Sequence, residues 1–186
     1  MTDAEAVAAL LAVADGLFYD RGIAGVGMSD VRDASGVSLR RLYHLYPSKR
    51  DLVAACLVDR HIRWMAWFVA ATDARIADGV DAVVAPFDAI EEWASSPGYR
   101  GCAFLNAIAE TTEIDEGHRQ IVADHKRSLI EYLRRIIDRP GHAAPWLPDA
   151  VAVLVDGAIV QSAALRSHAP IAAARSAAVG ALVGLR

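Results

Sequence analysis

The sequence predicts an all-α protein: an N-terminal three-helix, helix-turn-helix domain joined by a long helix to a C-terminal helical bundle, about nine helices in all. Apolar residues recur at helical spacing from one end of the chain to the other. Turn clusters such as Ser35-Gly36, Asp78-Gly79 and Ser96-Pro97-Gly98 interrupt these stripes. No alternating pair of runs about a tight turn reads as strands. With 186 residues, 54% hydrophobic and 23% charged, the chain has enough apolar material for one sizeable core or two small ones, and it is not a disordered polymer.

The first stripe, Val7, Leu10, Leu11, Ala14, Leu17 and Phe18, marks an amphipathic helix, with Thr2 and Glu5 as a capping box and Gly22 just past its end. The glycine-rich Gly22-Ile23-Ala24-Gly25-Val26-Gly27 follows a helix and lacks the spacing of a nucleotide-binding fingerprint, so it reads as a loop. Met28, Val31 and Ala34 give a short second helix one apolar face, capped by Ser29 or Gly27. Gly36 stands where that helix must stop and the backbone needs positive φ. Ser38 caps the next helix. On it Leu42, Leu45 and Tyr46 fall to one side, while Leu39, Arg40, Arg41, Tyr43 and His44 fall elsewhere. Pro47 ends it, and Ser48 with Asp51 forms a capping box for a new helix.

A helix, a glycine turn and a second helix that exposes arginines and polar aromatics is the arrangement of helix-turn-helix DNA readers. Arg40, Arg41 and His44 are the candidates for base edges, because an arginine fork pairs bidentately with guanine. The net charge of −4 argues against holding nucleic acid by bulk electrostatics. Residues 1–50 balance six Lys/Arg against six Asp/Glu, so DNA binding must come from a few placed cations.

From Ser48 a long pattern runs through Leu52, Val53, Cys56, Leu57, Trp64, Trp67, Phe68 and Ala71, one helix belonging to both parts of the protein. Val83, Val84, Phe87, Ile90 and Trp93 restart the stripe. Residues 101–110 read as a helix apolar nearly all round, with Asn106 and Glu110 on one face. His118 to Asp138 gives a further helix, closed by Arg139-Pro140-Gly141. After a Trp146-Leu147 loop, Val151 to Leu165 marks another, and Ile171 to Leu185 the last. The domain division expected is 1–50 for DNA binding and 51–186 for ligand binding and dimerisation.

At the helix-turn-helix the chain resembles the tetracycline-repressor (TetR) family of bacterial transcriptional regulators. The matching residues are Phe18, Gly22, Ser29-Asp30-Val31, Ala34, Gly36-Val37-Ser38, Leu42-Tyr43-His44, Tyr46-Pro47-Ser48-Lys49 and Leu52. Two departures stand out: Val26-Gly27 where the family has Thr or Ser before the second helix, and Leu39-Arg40-Arg41 where its recognition helix starts with small or polar residues. The resemblance implies a homodimer that binds a palindromic operator in double-stranded DNA, commonly a repressor, released by a small effector. It implies phosphate contacts from Ser38, Tyr43 and Lys49, with Ser29 and Leu39 beside them. It also implies a four-helix dimer interface, placed here on Val151, Leu154, Val155, Ala158, Ser162 and Leu182.

Trp64, Trp67, Phe68, Phe87, Trp93, Phe104 and Tyr132, with Asn106, Glu110 and Gln161 as sparse polar groups, have the mix that a mostly apolar effector site requires. His118 and His125 share a helix face but lack further ligands at close range, so they are expected as core or helix-face residues, without metal. No nucleophile elbow or HExxH is present, and neither an enzyme nor a cofactor is expected. Cys56 and Cys102 read as buried free thiols in a reducing cytoplasm, and no apolar run approaches the roughly 20 residues that span a bilayer. The opposing reading is a helical ligand-binding or scaffolding protein without sequence-specific DNA binding.

Overall fold

The computed structural model describes residues 1–110, 115–138 and 144–184. Among these it contains nine α-helices and no strand: α1 (Asp3–Arg21), α2 (Met28–Ser35), α3 (Leu39–Leu45), α4 (Lys49–Ala77), α5 (Ala85–Ala94), α6 (Ala103–Ala109), α7 (Glu116–Ile137), α8 (Leu147–Leu165) and α9 (Ala169–Val183). They form two compact units. One comprises Met1–Arg63 with Ala103–Asp124, the other Trp64–Cys102 with His125–Arg186.

In the first unit the helix ends follow local chemistry. Glu5 N–H donates to Thr2 Oγ1 at 3.3 Å and Thr2 N–H to the Glu5 carboxylate at 2.6 Å, closing the capping box at the start of α1. Gly27 caps α2 without a side chain, and the Asp30 carboxylate instead accepts its N–H at 2.6 Å. Gly36 ends α2 in the left-handed region at φ 69. Ser38 Oγ accepts the Arg41 N–H, and Ser48 and Asp51 exchange bonds of 3.2 and 2.9 Å at the head of α4.

Leu10, Val31, Val37, Leu42 and Leu52 are completely buried in the shared core of this unit. Each large aliphatic side chain so buried is worth about 1.5–3 kcal/mol. The buried line of α1 is Ala6, Leu10 and Ala14, with Leu11, Leu17 and Phe18 packed beside it. Ala34, expected on the apolar face of α2, is exposed.

In the second unit α8 packs on α9 and α5. Trp146-Leu147, expected as a loop, is the cap and first residue of α8, with Pro148 in the first turn, where its missing N–H costs nothing. Tyr99 donates to the carbonyl of Ile159 at 3.0 Å and lies 2.9 Å from Ser162 Oγ, so buried Ser162 is satisfied within the chain. The expected turn at Arg139-Pro140-Gly141 and the end of the last helix at Leu185 lie outside the described residues.

The expected dimer residues need correction. Val151, Val155, Ala158, Ser162 and Leu182 are buried inside the chain, and Leu154 is half-buried. The opposite side of α8 is the exposed one, with Val153 72% and Val160 47% accessible and Gly157 between them. Both sides of this helix are apolar, so periodicity could not say which faces inward. Among the described residues α8 is also the one helix long and apolar enough to cross a membrane. Its inner face is occupied by the bundle core, as in the core helix of a folded domain.

Candidate nucleic-acid interface and aromatic cluster

Successive residues on α3 are rotated by about 100°. With Leu42 fully buried, Arg40 and His44 lie on the opposite, exposed side of the helix. Arg41 and Tyr43 flank them on either side. Tyr43 is 46% accessible and Leu39, in the first turn, is exposed. Ser38 is exposed although its hydroxyl serves the cap, Ser29 is exposed in the first turn of α2, and Lys49 is half-buried at the start of α4. Each of the expected DNA-contacting residues is therefore exposed or half-buried.

Arg41 differs from the expectation of a free reader. Its Nη1 donates to the Met1 carbonyl at 2.7 Å and its Nη2 to Asp3 Oδ1 at 2.6 Å, which clasps the flank of α3 to the first turn of α1. The hydrogen bond and charge of Arg41 hold the Asp3 carboxyl below its usual range. That pairing spans 38 positions of sequence, beyond the reach of any helical period.

Other long-range contacts fix the unit that carries α3. Asp15, 13% accessible, takes Arg60 Nε at 2.6 Å and Arg63 Nη2 at 2.8 Å, while the Arg60 guanidinium sits 4.4 Å over the ring of Tyr19. Ala24 N–H donates to the Glu110 carboxylate at 2.8 Å, placing the end of α6 on the α1–α2 turn. Buried His118 sets Nδ1 2.6 Å from Asp115 Oδ1 and Nε2 3.1 Å from the Arg50 carbonyl, and Arg50 also pairs with Asp115. Both histidines of α7 are buried, and no metal-holding group of three ligands occurs among the described residues.

The second unit gathers an aromatic cluster. Trp64 stacks on Phe68 with centroids 4.8 Å apart and rings within 10° of parallel. Trp93 lies 5.7 Å from Trp64 and 6.2 Å from Trp67, and Phe68 meets Tyr132 edge-on at 5.7 Å. Trp64, Trp67 and Trp93 are only partly buried. The Trp64 indole nitrogen is buried with no hydrogen-bond partner among the described residues. Tyr132 donates to Asp73 at 2.9 Å, and burial pushes its phenol upward.

Five of the expected effector residues thus come together: Trp64, Trp67, Phe68, Trp93 and Tyr132. Tyr99 at 5.0 Å from Trp93 and His125 at 5.2 Å from Trp64 were missed. Tyr99 follows a turn and belongs to no stripe, and His125 is expected from its stripe as a core or helix-face residue, with nothing to mark an aromatic neighbour. Phe87 is a core residue of α5. Phe104, Asn106 and Glu110 belong to the first unit, where Glu110 serves the Ala24 N–H. Asn106 and Gln161, expected to be buried, are exposed.

A glycine turn between two short helices, the second presenting Arg40 and His44 outward, defines a DNA-reading helix-turn-helix domain. Residues 10–56 match the sequence model of the bacterial regulatory proteins of the tetR family. A TetR-family transcriptional regulator from Streptomyces coelicolor superposes with a TM-score of 0.80 at 28% identity, over 99% of this chain and 91% of that one. NemR of E. coli in its reduced form (TM-score 0.80, 20% identity, 93% and 94% covered) shares the fold. So does a TetR transcriptional regulator from Chloroflexus aurantiacus (0.77, 22%, 97% and 96%). No functionally curated protein matches the sequence. The N-terminal part of the chain thus matches the tetR family's sequence model, and the chain as a whole is similar in fold to TetR-family transcriptional regulators.

Proposed function

We propose that the protein is a homodimeric, ligand-responsive repressor of the cytoplasm that binds a palindromic operator and is released by a small, mostly apolar effector. Residues 1–50 serve as the DNA-binding part and 51–186 as the ligand-binding and dimerisation part. The observation that carries this reading is the outward face of α3, where Arg40 and His44 stand opposite the buried Leu42. Dimerisation rests on the outer side of α8 and α9, where Val153, Val160 and Val183 are exposed and Gly157 and Gly180 allow close approach. Two recognition helices must then reach half-sites about 34 Å apart.

The aromatic cluster supports an effector with a flat apolar body and one hydrogen-bond acceptor for the Trp64 indole. α4 runs unbroken from Lys49, beside the helix-turn-helix in sequence, to the cluster residues Trp64, Trp67 and Phe68. An effector that favours one setting of α4 changes the fit of the two recognition helices to DNA. Effector and operator must then alter each other's affinity by the same factor, typically worth ~1–3 kcal/mol.

Selection of the purified protein on random duplexes tests the first half: an enriched palindrome supports it. No enrichment would leave the helical ligand-binding bundle without specific DNA binding as the better reading. Quenching of tryptophan fluorescence by apolar compounds, titrated with and without the selected duplex, tests the second. Equal affinity in both titrations removes the coupling.

A further inference from the structure

We propose that Asp3 is a positioning residue of the DNA interface, which withholds the Arg41 guanidinium from DNA phosphate. The inference rests on the DNA-binding reading above and adds to it an acidic control outside the helix-turn-helix.

Arg41 lies on the flank of α3, beside the outward Arg40 and His44, and a cation there is placed for the DNA backbone. Two of its terminal N–H groups are already spent, one on the Met1 carbonyl at 2.7 Å and one on Asp3 Oδ1 at 2.6 Å. The anchor is firm, because the capping box of Thr2 and Glu5 fixes the chain next to both acceptors. Asp3 stands in the first turn of α1, where the helix dipole favours its negative charge. A phosphate that approaches Arg41 therefore meets a neutralised cation with an anion beside it, and it must displace Asp3 to gain a contact. In residues 1–50, which balance six cations against six acids, one withheld arginine is a large fraction of what DNA could use.

The slope of log affinity against log salt counts phosphates neutralised, at about 0.9 per contact on duplex DNA. The test measures it by fluorescence anisotropy on a labelled duplex of random sequence, for the wild type, Asp3→Asn, Arg41→Ala and the double variant. Asp20→Asn, at the far end of α1, controls for the loss of one surface charge, and circular dichroism checks the fold of each. Asp3→Asn is expected to steepen the slope by about 0.9, so that affinity falls roughly threefold further between 50 and 200 mM salt than for wild type. Arg41→Ala and the double variant should keep the wild-type slope, as should Asp20→Asn.

An unchanged slope in Asp3→Asn overturns the proposal. So does steepening that persists without Arg41, since Asp3 would then act through its own charge. A flatter slope in Arg41→Ala alone overturns it too, because Arg41 would already touch phosphate. If the wild type binds no duplex even at low salt, the DNA-binding reading falls and takes this inference with it. Failure of the Asp3 arm alone leaves that reading intact.

Discussion

Gly22→Ala should destabilise the first unit by about 2–4 kcal/mol, from two separable sources. Gly22 sits at φ 81 and ψ 153, a region that side chains with a Cβ avoid, at a cost of about 1–3 kcal/mol. A Cβ built there would stand 3.0, 3.1 and 3.3 Å from Oε1, Oε2 and Cδ of Glu110. The carboxylate must give way by a few tenths of an ångström, which weakens the 2.8 Å bond from the Ala24 N–H by up to its full worth. Glu110 is half-buried, so that charge-assisted bond is worth about 1 kcal/mol, below the 1.5–3 of a buried one.

The assay is urea and thermal unfolding followed by circular dichroism, with Glu110→Ala and the double variant completing a cycle. Glu110→Ala alone should cost about 1 kcal/mol. In its background Gly22→Ala should retain only the backbone part, leaving a coupling of up to about 1 kcal/mol. Loss of 2–4 kcal/mol lowers the melting temperature of a chain of this size by roughly 5–15 °C. A cost of Gly22→Ala that is the same in both backgrounds would refute the contact with Glu110, and a negligible cost in both would refute the strain.

Three further outcomes are expected. Arg40→Ala should cost about 1–3 kcal/mol on a selected operator and relax its sequence preference, whereas Lys49→Ala should weaken all duplexes alike; competition binding against single-base operator variants separates the two. Val160→Asp should convert the dimer to a folded monomer, while Val151→Asp, which buries an unpaired charge, should unfold the chain; sedimentation with circular dichroism reads both, and a wild-type dimer constant for Val160→Asp counts against the assigned face. Burial pushes the Cys56 thiol from 9.0 up to about 12. The unfolded chain therefore loses that proton first, and the thiol's contribution to stability, present below about pH 9, declines by up to ~1.4 kcal/mol per pH unit between about 9 and about 12. Cys56→Ala should flatten that limb, and rapid alkylation of native Cys56 at pH 8 would show that the burial is wrong.

What the sequence made legible was written within one turn of helix. Thr2 with Glu5, Gly36, Ser38, and Ser48 with Asp51 each solve the problem of orphan N–H or C=O groups at a helix end, and the structure places each in that role. What stayed hidden depends on partners far along the chain. Glu110 meets Ala24 across 86 positions and Asp15 meets Arg60 across 45, and no period marks either pair. Asn106 and Gln161 were misplaced for another reason. A polar residue among apolar neighbours reads as buried, but on short or two-sided apolar helices it marks the wet side. The inner and outer faces of α8 are alike for the same reason, since an apolar outer face leaves no contrast for periodicity to read.

The balanced charge of residues 1–50 takes on a physical sense once the pairs are placed. Arg32 is joined to Asp33, Arg41 to Asp3 and Arg50 to Asp115, so half of the six cations there are answered by acids of the same unit. A surface of this kind raises little long-range field, and at physiological salt the Debye length of about 8 Å would screen much of what it did raise. On the proposed function, affinity for DNA must then come from groups aimed at close range, with Arg40 and His44 the candidates for the bases and a few contacts to phosphate. Such a reader binds weakly wherever its bases are wrong, because half of its cations are already answered and little long-range attraction is left to hold it. On that reading, the ion pairs within the unit that carries the helix-turn-helix also govern how much of its binding depends on sequence.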